Sequence, residues 1–151
     1  MGFRIGIITK VMKLLVVAAM LLGTVAQSAQ PVDEAFERLA KVEIFAFGPV
    51  GYAGTTSTGE KDYKAVLSRP TALADFERLY SSGNVMAKAY ALVGIRNLSP
   101  ERFRVLAEPM RNSKEQVTTM HGCIMSRESF GAVVKQIESG RYPHRESPTP
   151  G

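Results

Sequence analysis

Apolar positions recur at helical spacing over most of this chain, and the densest run is Gly83 to Pro100, GNVMAKAYALVGIRNLSP. Asn84 is placed to cap a helix start, and Ser99-Pro100 marks the start of the next helix, with proline at its first position. Between them only Lys88, Arg96 and Asn97 are polar. A helix apolar almost all round belongs in the middle of a domain rather than on its surface. Ala87, Ala91 and Gly94 fall at i, i+4, i+7 and form a small-residue stripe where a neighbouring helix can approach closely. Met86, Tyr90 and Val93 form a bulkier stripe beside it.

The same spacing predicts further helices on both sides. Pro31 can open one whose face is Val32, Phe36, Leu39 and Ala40, with Asp33 and Glu34 near its N-terminus. Ser57-Thr58-Gly59-Glu60 has the S-x-x-E form of a capping box, followed by Tyr63, Val66 and Leu67. Pro70 opens the next, with Leu73, Phe76, Leu79 and Tyr80 on one side and Gly83 as its stop. After Ser99-Pro100 come Phe103, Leu106, Ala107 and Met110, with Pro109 set to end or kink the helix. Ser126 is expected to cap a last helix with Phe130, Val133, Val134 and Ile137 on its face and Gly140 after it.

Three stretches break the rhythm. Val42 to Phe47 can extend the first helix or form a short buried strand, and periodicity does not separate the two over so few residues. Gly48 to Gly59 is the longest irregular stretch, with glycines at 48, 51 and 54. It matches neither the Gly-Lys-Ser/Thr nor the G-x-G-x-x-G phosphate cradle and reads as a loop over the core. Glu115 to Ser126 is rich in β-branched residues and predicts an extended segment interrupted at Gly122.

The expected fold is therefore mainly α: one small domain of short antiparallel helices, a Gly-rich loop and one or two short extended segments. Phe-Glu-Arg-Leu occurs at both 36–39 and 76–79, a spacing in the range of HEAT-type repeats, so HEAT-like packing is a candidate arrangement.

Composition changes the picture at the N-terminus. Arg4, Lys10 and Lys13 precede the apolar run Leu14 to Leu22, and small residues follow, which is the layout of a secretory signal peptide. The run is shorter than the ~20 apolar residues a spanning helix needs. Cleavage is expected after Ala26 or Ser28. The expected organisation is residues 1–28 as leader, 29–140 as helical domain and 141–151 as a loose, Pro-rich tail. Without the leader, 16 basic residues face 14 acidic ones, so the formal charge of +5 belongs mostly to the leader. The remaining Lys and Arg are scattered, which excludes a nucleic-acid footprint, and no membrane contact is expected after cleavage.

Phe45-Ala46-Phe47-Gly48, Val50-Gly51-Tyr52-Ala53-Gly54, Ser57 with Gly59-Glu60, Tyr90-Ala91-Leu92 with Gly94, and Gly122-Cys123-Ile124 together resemble small exported bacterial proteins. Some of that group are labelled microcin-production accessory proteins. The resemblance covers residues 44 to 140. It implies an exported, mainly helical protein and supplies no catalytic residue. Some relatives carry a cysteine in the Tyr-Ala-Leu-x-Gly phrase where this chain has Val93, so the resemblance implies no partner for Cys123 at that position.

Candidate chemistry is confined to Met120-His121-Gly122-Cys123-Ile124-Met125. Thioether, imidazole and thiolate are soft ligands suited to Cu(I), which makes Met120, His121, Cys123 and Met125 the candidate metal ligands. In a continuous strand His121 and Cys123 would share a face. The same pair is a candidate for thiol chemistry, with the imidazole activating the thiol. Asp62, Asp75 and Glu77 are expected on exposed helical faces. Without a coherent catalytic set, the leading expectation is a non-enzymatic, periplasmic or secreted helical module that binds a protein or peptide and needs no cofactor. The alternative is a soft-metal-binding or thiol-dependent protein centred on His121 and Cys123.

Overall fold

The computed structural model describes residues 31–143. The leader 1–28, residues 29–30 and the tail from His144 lie outside them, as do the expectations made for those segments. Among the described residues the fold is mainly helical, with two small antiparallel sheets. In chain order the elements are α1 (Pro31–Ala40), β1 (Pro49–Val50), β2 (Thr55–Thr56), α2 (Thr58–Leu67), α3 (Ala72–Ser82), α4 (Val85–Leu98), α5 (Pro100–Ala107), a 3₁₀ turn (Glu108–Met110), β3 (Gln116–His121), β4 (Ile124–Ser129) and α6 (Phe130–Glu138).

The apolar helix sits where its sequence puts it. Asn84 caps α4 by accepting the Ala87 N–H at 2.9 Å, and Ala87 and Ala89 to Ile95 are all buried. Gly94 explains its close neighbour: a Cβ there would overlap the Phe76 ring, so of the two flanking helices it is α3 that comes closest at that point. The Ser99 hydroxyl caps α5 with Pro100 in its first turn, and Pro109 falls in the 3₁₀ turn that ends it.

Several local expectations need correction. Ser126 does not cap α6, because the β4 ladder holds it opposite Thr119, and the cap is Ser129, which accepts from the Ala132 N–H. The α3 helix starts at Ala72 rather than Pro70: Thr71, at φ −92° and ψ 9°, stands outside the helical region as the cap position, and its hydroxyl donates to Asp75. Leu73, expected on the buried face of α3, is exposed.

Asp62 and Asp75 are buried rather than solvated, each held by a guanidinium from outside its own helix: Arg38 at 2.7 Å and Arg69 at 3.1 Å. Glu77 does stay near the surface, paired with Arg102. Of the expected tail, the described residues 141–143 lie against the body. Tyr142 packs its ring 4.8 Å from Phe45 and bonds Gln136, and Asn97 holds the Pro143 carbonyl at 2.9 Å.

Candidate functional site

Val42 to Phe47 is neither helix nor named strand. It runs extended beside β3 and joins it through a parallel bridge at Phe45, whose N–H donates to Thr118 O at 2.8 Å while its carbonyl accepts from Met120 N–H at 3.2 Å. Two anchors from α4 hold this segment. The Tyr90 hydroxyl accepts the Ala46 N–H at 3.0 Å and donates to the Ala46 carbonyl at 2.8 Å, and the Asn84 amide donates to Val42 O at 2.7 Å. Burial pushes the Tyr90 phenol up from its ordinary value and keeps it neutral as that donor.

The capping box at α2 is half formed. Ser57 accepts the Glu60 N–H at 3.0 Å, but the Glu60 carboxylate turns away to accept the Gly48 N–H at 2.8 Å and to pair with Lys64 at 2.6 Å. That diversion pins the glycine-rich loop to α2. Gly48, Gly51 and Gly54 all adopt positive φ, which lets β1 and β2 fold back on each other.

β3 and β4 form a hairpin closed by Gly122 and Cys123, with His121 opposite Ile124. Gly122 has φ +58° and Cys123 does not adopt positive φ, the pattern of a type II′ turn. The chain reversal overturns the expected shared strand face of His121 and Cys123. Instead Met120 and Met125 are directly opposite each other, and Cys123 sits exposed in the turn. The tip is tied to the glycine-rich loop by Gly51 N–H to Gly122 O at 2.9 Å.

Alternation sets two faces. Val117 and Thr119 are buried, and Thr119 donates to Glu128 on the same side at 2.9 Å. On the other face lie Thr118 and Met120 with their partners Arg127 and Met125. This outer face is open. A groove of about 420 Å³ is lined by Glu43, Ile44, Thr118, Met125, Ser126 and Arg127. A second, of about 390 Å³, lies on the other side of Glu43 and Ile44 and reaches Val50, Met120 and the start of α2. Of the exposed large apolar side chains among the described residues, Tyr52, Ile124 (71 %) and Met125 (58 %) gather at this end of the molecule.

The outer edge of β4 is also open. Thr118 and Met120 exchange backbone hydrogen bonds with Phe45, on the side of β3 away from β4. Their cross-strand partners, Arg127 and Met125, therefore occupy non-hydrogen-bonded positions and aim their own N–H and C=O groups outward. Among the described residues no backbone group meets them there.

Of the four candidate ligands, Met120 and Met125 line the grooves, while His121 and Cys123 stand at the exposed tip. Among the described residues no cluster of three His, Cys, Asp or Glu side chains is placed to hold a metal. Ile44, Arg127 and the open edge were missed from sequence. The signal for the edge was there: a Gly-x pair between two six-residue extended runs marks a two-residue hairpin. Comparison of the chain with protein-family models, curated proteins and solved structures gave no match.

Proposed function

We propose that this chain is an exported, non-enzymatic module that binds a protein or peptide through its sheet end rather than through its helices. The observation that carries the reading is the unpaired β4 edge beside the Ile44–Met125 groove. An open edge offers backbone donors and acceptors at strand spacing, and an adjoining groove offers side-chain selection. Exposed methionines suit such a surface because the flexible, polarizable thioether adapts to its partner. Selection from a random peptide library tests it: Met125→Asp should abolish enrichment while leaving the melting temperature within about 2 °C, as expected of an exposed position. Equal enrichment by both proteins would overturn the assignment.

Export rests on the leader pattern of residues 1–28 and agrees with the resemblance to small exported bacterial proteins. The mass of the protein recovered from a periplasmic extract should lack the leader, and a mass retaining residues 1–28 would refute it. The body is proposed to be a single domain with HEAT-like stacking of α1–α2 against α3–α4. The two Phe-Glu-Arg-Leu segments meet, with the Arg78 guanidinium 4.0 Å above the Phe36 ring. One cooperative unfolding transition is the expected behaviour.

A second reading is favoured by one observation, the cross-strand placement of Met120 and Met125 next to the Cys123 turn. Two thioethers on one face with a thiol nearby suit Cu(I). Titration with Cu(I) should then separate the native protein from Cys123→Ala and Met125→Leu, and equal weak binding by all three would remove this reading.

A further inference from the structure

We propose that the partner is an extended segment that adds antiparallel to β4 and carries an acidic side chain two residues before an apolar one. This rests on the proposal that the sheet end is the binding surface, and it names the chemistry that surface selects. Met125 and Arg127 are the β4 residues whose backbone groups point outward, so a partner strand would exchange hydrogen bonds with these two. Their side chains share the outer face, about 7 Å apart along the strand. Partner residues two apart would then lie beside them, at cross-strand separations of about 5 Å.

The two neighbours ask for different chemistry. Met125 is exposed and offers an apolar flank at the open edge, which suits an apolar side chain beside it. Arg127 is exposed and, among the described residues, makes no ion pair or hydrogen bond through its guanidinium. A carboxylate on the partner would complement it. Antiparallel addition continues the sense of β3–β4 and places the residue opposite Arg127 before the one opposite Met125. The element recognised is therefore Asp/Glu-x-Leu/Ile/Met. A second copy of this chain fits less well. Pairing β4 with its own symmetry mate through these outward groups sets Arg127 against Cys123, Met125, Arg127 or Ser129, and in none of these registers does the guanidinium gain a counter-charge.

The test uses the chain as recovered from cells and blocked, dye-labelled peptides in a threonine-rich host, read by fluorescence anisotropy. The Glu-Thr-Leu peptide should bind about fivefold tighter than Lys-Thr-Leu, the scale of one cross-strand charge reversal. Arg127→Glu should invert that preference, and amide protons of Met125 and Arg127 should slow in exchange when the peptide binds. Equal binding of both peptides by both proteins, still lost in Met125→Asp, would overturn the acidic element and leave the binding surface standing. Failure of every peptide, with a concentration-dependent dimer that Met125→Asp dissolves, would overturn the proposal by making a second copy the occupant. Failure of every peptide with a monomeric chain would overturn both.

Discussion

Replacing Tyr90 with phenylalanine removes one oxygen from the centre of the fold and leaves the ring in place. The ring keeps its edge contacts with Phe45 at 4.9 Å and its packing on Phe47 at 5.1 Å, so no cavity cost is expected. What changes is hydrogen bonding at Ala46, which is 2 % exposed. Its carbonyl loses the tyrosine but retains the Ser57 hydroxyl at 3.0 Å. Its N–H, bonded only to Tyr90 among the described residues, becomes a buried orphan. A buried donor left without a partner costs about 1–3 kcal/mol. We expect Tyr90→Phe to lose about 2 kcal/mol, a fall of roughly 8 °C in melting temperature for a domain of this size. Urea denaturation should show a lower midpoint with an unchanged slope, and amide exchange should accelerate most at Ala46. Gly59→Ala should reproduce that local signature, because a Cβ at Gly59 would collide with the same hydroxyl. A melting temperature within roughly 2 °C of the native value, or unaltered exchange at Ala46, would refute the reasoning.

Three further outcomes follow from the packing. Gly94→Ala gains helix propensity but drives a methyl into the buried Phe76 ring; overpacking should win and destabilise the protein by about 1–2 kcal/mol in urea titration, and a stabilised variant would show that α3 can give way. Asp75→Ala strips Arg69, Thr71 and Arg78 of a shared, nearly buried acceptor and should cost about 3 kcal/mol, whereas a loss under about 1 kcal/mol would mean the site behaves as a solvated surface pair. Burial pushes the Tyr63 and Tyr142 phenols up to about 12 from an ordinary 10.0, and raises Tyr90 in the same direction. The unfolded chain then releases these protons first, so stability is intact below pH 10 and declines between pH 10 and about 12; urea midpoints that stay level through that window would contradict it.

The helices were legible because each carries a local signature: Asn84, Ser57 and Ser99 cap where their sequences place them, and the apolar face follows directly. What the sequence hid depends on distant partners. Asp62 reads as solvated until Arg38, 24 residues earlier in the chain, neutralises it where it is buried, and Asp75 until the turn before α3 folds Arg69 back onto it. Glu60 completes the capping-box motif in sequence, yet its carboxylate bonds the Gly48 N–H instead, which only the folded glycine-rich loop presents. Ser126 and Ser129 are equally good caps by residue type, and the ladder opposite β3 decides between them. Cys123 stood out by composition. Its environment turned on whether Gly122 bends the chain: the bend takes Cys123 out of the face it would have shared with His121 and sets Met120 and Met125 opposite each other on one face.

The buried helix and the exposed face are mechanically one system. Residues 42–46 supply Ile44 and Glu43 to the groove and the Phe45 rung to β3, yet they have no regular structure of their own. Their position is set from α4, at one end by the Asn84 amide on Val42 O and at the other by Tyr90 on Ala46. Changes at α4 should therefore alter binding without touching the partner. Asn84→Ala removes both the helix cap and the Val42 bond and should cost about 2 kcal/mol of stability. It should also weaken peptide binding measured well below its melting temperature, because Ile44 loses its support. Met125→Asp, by contrast, should weaken binding at constant stability. If the Asn84 variant bound peptide like the native protein despite its lower melting temperature, segment 42–46 would hold its shape through the β3 bridge alone, and α4 would have no influence on the groove.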